Sequence, residues 1–207
     1  MGLEVDLRRC PIAQSLVRAI RVVEAEVPAQ ASPGLVHAIT PVIVRRQAWW
    51  TAMAGGFFTY GQDQMWRVQE GWDKTFDTPG AGHVCKMREI LTSLPWWEFT
   101  PDQSIFATGI SSEQTLNTAM RSTGGDRVLV YLSSQCTVFV HLDKITTAQA
   151  KATLVNPTTG ERRAADTYRT GNLNGRTFPD GQTQFFTTPG HWEGAVLLLE
   201  GVKESAK

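Results

Sequence analysis

The sequence predicts an α+β protein in which an α/β segment, residues 1–102, precedes an antiparallel β-sandwich, residues 103–207. In the first part, helical and strand-like patterns alternate, and six of the seven tryptophans lie there. In the second part, short apolar runs recur between turns rich in Gly, Pro, Asn and Asp, which is the pattern of a sandwich or barrel. This change of composition places the predicted domain boundary near residue 102.

Composition excludes several classes of function. The 207 residues carry a formal net charge of zero, and no basic stripe or RNA-binding module indicates a nucleic-acid partner. No apolar run approaches the roughly 18–20 residues that span a bilayer, and the first ten residues do not form a signal peptide. Three widely spaced cysteines, an odd number, do not predict a disulfide framework, so at least one of Cys10, Cys85 and Cys136 is expected as a free thiol.

The N-terminal elements are a predicted helix over residues 6–19, a strand over 19–27 and a loop over 28–36. The strand is rich in β-branched residues and ends before Pro28. Its period of two places Glu24 and Glu26 on one face.

The central stretch, residues 44–72, is predicted to be one α/β unit. A helix over residues 44–54 is closed by a left-handed cap at Gly55-Gly56, and a short strand over residues 57–60 stops at Gly61. Trp49, Trp50 and Phe57 are expected in the core. A loop then follows whose polar and aromatic residues are expected near a site at the strand end: Gln62, Asp63, Gln64, Trp66 and Trp72.

The later elements are a helix over residues 83–94, which Pro95 ends, and eight short strands. The strands are predicted over residues 104–109, 116–122, 127–132, 136–142, 151–155, 162–168, 183–187 and 194–200.

Several motifs, in order, resemble those of a known family. The residues that carry the resemblance are 45–56, 59–61, Trp66, 79–81 and 96–102, followed by 156–160, 185–192 and 196–199. They are similar to the last part of an apiosidase-like glycoside hydrolase, in which a TIM barrel precedes a β-sandwich labelled collagen-binding. The resemblance implies that residues 1–102 form a partial (β/α) barrel-like segment corresponding to the last two βα units, and that the chain is the C-terminal portion of such a hydrolase.

The resemblance also implies a retaining-type hydrolase with two carboxylates that flank the glycosidic bond of a plant-type polysaccharide. One carboxylate would lie on a late barrel strand, in a Glu-Pro-x-Tyr-Glu-like segment from which residues 24–28 depart. Glu26 takes this role here, with Glu24 as its substitute and Asp63 as a candidate partner. The family's other carboxylate would come from an earlier strand.

Aromatic rings and amides suit sugar binding, since an aromatic face stacks on a pyranose while amides bond its hydroxyls. Tyr60, Gln62, Trp66 and Trp72 are therefore the expected substrate contacts. His83 and Cys85 are two residues apart, but a metal site needs three or four ligands, so no metal is expected. No nucleotide, redox or serine-hydrolase motif occurs, and no cofactor is expected.

Two functions remain open. The first is a glycoside hydrolase, or part of one, and the second is a non-catalytic carbohydrate- or matrix-binding sandwich with a docking segment.

The two predicted parallel strands, 20–27 and 57–60, would have open edges, which predicts association with a second copy of the chain.

Overall fold

The computed structural model describes residues 23–24, 39–61, 63–171 and 182–202. The chain divides into two compact units, Met1–Arg88 and Glu89–Lys207. Helices and one parallel strand pair occupy the first unit, and antiparallel sheets make up most of the second. The predicted α+β class is confirmed. The domain boundary near residue 102 stays a prediction, and the predicted helix over residues 6–19 and loop over 28–36 lie outside the described residues.

The first unit contains strand β1 (Val23–Glu24), helix α1 (Pro41–Met53), strand β2 (Tyr60–Gly61) and a one-turn helix α2 (Asp63–Trp66). A 3₁₀ helix, Trp72–Asp77, then leads into helix α3, Pro79–Thr92, which continues across the division between the units. No helix in the described ranges has the length and apolar character needed to cross a membrane.

Helix α1 has a sequence-encoded signal at each end. Thr40 is the N-cap, its Oγ1 accepting from the Ile43 N–H at 3.4 Å, and Pro41 occupies the first helical position. At the other end Gly55 has a φ of 80° and donates to the Ala52 carbonyl, while Gly56 donates to the Thr51 carbonyl. These two bonds form a Schellman motif, so the predicted left-handed glycine cap is confirmed.

The strand predicted over residues 57–60 begins later, at Tyr60. Since the hydrogen-bonded ladder does not include Phe57, that side chain is not held on a sheet face, and it is 87% exposed. The prediction that Phe57 lies in the core is wrong, whereas the same prediction for Trp49, which is fully buried, is confirmed. Trp50 is half-buried.

The predicted loop after Gly61 is wrong in part, because it contains α2 and the 3₁₀ helix. Between residues 63 and 70 the chain has neither Gly nor Pro, so nothing in it prevents a helical turn.

Helix α3 also begins earlier than predicted, at Pro79. Thr78 precedes it, and its Oγ1 accepts from the Ala81 N–H at 3.5 Å, as an N-cap does.

The second unit has two antiparallel sheets. Its strands are β3 (Phe99–Pro101), β4 (Phe106–Thr108), β5 (Thr118–Ser122), β6 (Arg127–Leu132), β7 (Thr137–His141), β8 (Gln149–Val155), β9 (Arg162–Arg169), β10 (Thr183–Thr187) and β11 (Ala195–Gly201). Six strands form one sheet in the order β3-β5-β6-β11-β8-β9, and three form the other in the order β10-β7-β4. Each of the eight predicted strands is present, and β3 is an addition.

Both sheets contribute side chains to one hydrophobic core. Val130 and Leu132 come from β6, Val138 and Val140 from β7, and Leu197 from β11, and all five are fully buried. Two antiparallel sheets that share a core in this way form a β-sandwich. Buried and exposed residues alternate along β7 and along the first part of β8, as they do in strands with one face toward a core.

Candidate active site

Strands β1 and β2 pair in parallel and bring two distant parts of the sequence together. Val23 lies opposite Tyr60, and Glu24 lies opposite Gly61. Because parallel strands present their carboxyl ends at the same edge, Glu24 and Gly61 both lie at one edge of this pair. That edge is the candidate active site.

The predicted acidic residues follow these two strand ends. Glu24 is the last residue of β1, and Asp63 is the first residue of α2, two residues after Gly61. Glu26 and Gln62 lie outside the described residues. Trp66 is the last residue of α2. Backbone pairing therefore joins the segments that carry Glu24 and Asp63, which the sequence separates by 39 positions (63 − 24).

Tyr60 is the first residue of β2 and is half-buried. Its hydroxyl lies 2.6 Å from Thr78 Oγ1, and either oxygen can donate. Thr78 also caps α3, so this hydrogen bond ties the strand to the start of the helix. The phenol ring also packs against the buried Val44, so its position is fixed from both ends.

Trp72 is 40% exposed and contacts Phe76, which is 56% exposed, on the 3₁₀ helix. Their ring centroids are 5.9 Å apart and the planes meet at 72°, an edge-to-face arrangement. The exposure of Trp72 is consistent with the predicted role in sugar contact. Phe76 was not among the predicted contacts, although it follows Trp72 by four residues, a helical spacing that would have paired the two rings.

His83 and Cys85 both lie on α3 but do not form part of a metal site in the structure. The His83 Nδ1 is 3.2 Å from the Pro41 carbonyl oxygen, which connects α3 to the start of α1, and Cys85 is exposed. Across the described ranges, no three His, Cys, Asp or Glu side chains cluster closely enough to hold a metal ion.

Cys136, in the second unit, is a half-buried free thiol. Burial raises its pKa, and hydrogen bonds from Asn117 and Thr188 oppose that shift. The fully buried Asn117 also donates to the Gly109 carbonyl at 2.7 Å and accepts from the Ser133 N–H at 3.0 Å. This thiol therefore belongs to a structural network that holds neighbouring loops, and not to the strand ends of the candidate site.

Two family models match consecutive parts of the chain. The model described as "Apiosidase-like, catalytic domain" matches residues 25–98, and the model described as "Putative collagen-binding domain of a collagenase" matches residues 100–200. A search of curated proteins finds no match.

Solved structures share the fold. A crystal structure of a glycoside hydrolase family 5 protein from Bacteroides vulgatus aligns with a TM-score of 0.71 and 19% identity, over 86% of this chain and 40% of that one. Another, titled "Glycoside hydrolase", aligns with a TM-score of 0.72 and 19% identity, over 87% of this chain and 41% of that one. The chain thus spans about two fifths of the length of these relatives.

The order of the two matched models is the order that the sequence motifs predicted. The predicted resemblance is therefore confirmed: residues 25–98 are similar to the apiosidase-like catalytic domain, and residues 100–200 are similar to the collagen-binding-type domain.

Proposed function

We propose that this chain is the C-terminal part of a glycoside hydrolase that cleaves O-glycosidic bonds of plant-type polysaccharide through paired carboxylates. The observation that carries the proposal is the parallel register of Glu24 with Gly61. This register supports a site in which Glu26, after β1, acts beside Asp63 and Trp66, after β2.

Glycoside hydrolysis needs one carboxyl group that protonates the leaving oxygen and a second that acts as nucleophile or activates water. We assign the first strand's contribution to Glu26, with Glu24 as its substitute. Asp63 is the acid that follows the neighbouring strand and is our candidate partner. Hydrolysis of this type requires no metal, because the two carboxyl groups supply acid, base and nucleophile.

Substrate binding is assigned to the aromatic and amide residues at the same edge. In this assignment Tyr60, Trp66 and Trp72 would supply aromatic rings, and Gln62 would supply an amide for the sugar hydroxyls. The hydrogen bond between Tyr60 and Thr78 supports this role, since a ring with a fixed orientation loses less entropy when a sugar stacks on it.

The proposal is tested by release of reducing ends from a panel of neutral and acidic plant polysaccharides. We expect the purified chain to release oligosaccharides from at least one of them with sustained turnover. Binding without release would instead favour a second function, a non-catalytic carbohydrate- or matrix-binding module. The match of residues 100–200 to a collagen-binding-type domain is the observation that favours this alternative.

We also propose that the first unit associates with a second copy of the chain. Within the described residues, β1 and β2 pair only with each other, so each presents an outer edge of backbone donors and acceptors. Such edges recruit further strands.

A further inference from the structure

The outer face of the three-stranded sheet carries an exposed pair of aromatic rings. Phe139 on β7 and Phe185 on β10 are directly opposite each other in the antiparallel register. Phe139 is 43% exposed and Phe185 is 58% exposed, with ring centroids 6.2 Å apart and planes tilted by 51°. We call this pair and the polar residues around it the aromatic face.

These rings are not used to build the core. Their neighbours along the strands, Val138, Val140 and Phe186, point inward and are 0%, 0% and 3% exposed. The strands would therefore have an intact buried face with any small polar residue at positions 139 and 185. A directly opposed aromatic pair adds modestly to the stability of the sheet, and its exposed surface is also available for binding.

Hydroxyl groups surround the two rings. Thr137 and Thr187 are opposite each other in the next row of the sheet, and their Oγ1 atoms are 2.8 Å apart. Thr108 on β4 lies opposite Phe139 from the other side, and Thr183 lies opposite His141. Along β7 and β10, the alternate positions that carry Phe139 and Phe185 contain no Lys, Arg, Asp or Glu. The aromatic face thus combines apolar rings with hydroxyls, and at one end of it His141 Nδ1 lies 3.5 Å from Asp143 Oδ1.

Its size favours a small ligand over another protein. Together the two exposed fractions amount to about one whole phenylalanine, roughly 200 Å². A stable protein–protein interface buries about 800 Å² on each partner, so this area is too small to hold a second copy of the chain. The lack of charged side chains in the rows of the face also disfavours a strongly charged ligand.

We infer that the aromatic face binds a neutral glycan chain, separately from the candidate active site. The apolar faces of sugar rings would stack on Phe139 and Phe185, while the threonine hydroxyls bond the sugar hydroxyls. Because the two rings are tilted by 51°, they suit a glycan whose successive residues rotate along the chain, rather than one flat crystalline surface. The inference takes from the proposed function only the class of ligand, which is carbohydrate. It does not depend on catalysis.

Affinity electrophoresis of the full chain tests the inference, with neutral arabinan, xyloglucan and arabinoxylan, and with acidic polygalacturonate, in the gel. We expect a neutral glycan to retard the wild type. Replacing both rings, Phe139→Ala with Phe185→Ala, is expected to weaken this binding at least about tenfold. The double Phe→Tyr variant keeps both ring faces and should bind within about twofold of wild type. The double Phe→Leu variant keeps the apolar area but not the ring faces, and should bind as weakly as the alanine variant.

Trp97→Ala is the matched control, because Trp97 is a 69% exposed aromatic that contacts Trp96 elsewhere in the same unit. It should bind the glycan like wild type, and thermal unfolding should show that every variant is folded. Wild-type binding to none of the neutral glycans would overturn the inference. So would unchanged binding by the double alanine or double leucine variant, or capture of a triple-helical collagen peptide in place of a glycan. Turnover is scored separately, so a chain that binds but does not hydrolyse contradicts only the proposed function.

Discussion

Tyr60 combines an observed structural contact with a proposed role in substrate binding. Its hydroxyl bonds Thr78, while its ring lies where β2 ends. The sequence predicted a ring at this strand end, because an aromatic run stops at Gly61. It did not predict the bond to Thr78, since 18 residues separate the two and no pattern in the sequence relates them.

Removing only the hydroxyl separates these two roles. Tyr60→Phe is expected to lower the free energy of unfolding by about 1 kcal/mol, the usual net value of such a bond, while polysaccharide binding is kept. Urea denaturation followed by tryptophan fluorescence measures the change. Thr78→Ser, which retains a hydroxyl at the same position, is the control and should lose less. Equal stability of Tyr60→Phe and wild type would show that the bond does not stabilise the fold.

Aromatic residues were the hardest to place from sequence. Trp49 lies on helix α1 and is fully buried, as predicted, but Phe57 is largely exposed. Both residues are large aromatics, so residue type does not distinguish them. The difference is that a hydrogen-bonded helix holds Trp49 toward the core, whereas Phe57 precedes the strand. Phe139 and Phe185 were likewise placed on strands correctly, but alternation alone does not tell which face of a strand meets water.

At the scale of elements, helix ends and antiparallel strands were the most predictable features. Gly55-Gly56 marked the end of α1 because a left-handed cap favours glycine, and short apolar runs between turns rich in Gly, Pro, Asn and Asp marked the strands beyond residue 103. The segment from Gln62 to Asp77 was less predictable. Its short helical turns are too brief for periodicity to identify them, and neighbouring packing decides whether they form.

The glycine cap gives a prediction with an internal control. Gly55 has a φ of 80°, so Gly55→Ala is expected to destabilise the first unit by about 1 kcal/mol. Gly82 lies inside α3, where an added Cβ meets nothing within 4 Å. Gly82→Ala should therefore stabilise by up to about 1 kcal/mol, since alanine favours a helix. Thermal unfolding of the two variants should shift in opposite directions. A shift in the same direction for both would contradict the capping argument.

At the scale of the whole molecule, the sandwich is expected to fold without the rest of the chain. A fragment of residues 103–207 keeps every strand of the two sheets except the edge strand β3. It also loses the ion pairs Asp102–Arg121 and Glu98–Arg127. These ion pairs are only partly buried and contribute little, whereas loss of the buried Phe99 on β3 costs about 2 kcal/mol. We expect cooperative thermal unfolding of this fragment, at a lower temperature than a fragment of residues 89–207. A non-cooperative profile would place the domain boundary before residue 103.

The proposed self-association rests on the observation that, within the described residues, β1 and β2 pair only with each other. Burial of a few hundred square ångströms of strand surface at roughly 25 cal/mol per Å² is worth several kcal/mol, comparable with the stability of a small domain. Sedimentation velocity over a hundredfold range of concentration should therefore show a species heavier than the monomer that increases with concentration. The fragment 103–207, which lacks both strands, is the control and should remain monomeric. A concentration-independent monomer of the full chain would contradict this prediction.

Hydrolysis rates of matched carboxylate variants test the central claim most directly. Glu26→Gln and Asp63→Asn each remove one charge with almost no change of shape, and Glu24→Gln is the neighbour control. Loss of an acid or base carboxylate usually costs at least about 10²-fold in rate, so we expect Glu26→Gln to lose at least that much activity on a cleaved polysaccharide while its thermal unfolding is unchanged. Undiminished turnover in Glu26→Gln, with the loss appearing in Glu24→Gln or in none of the three variants, would contradict the assignment.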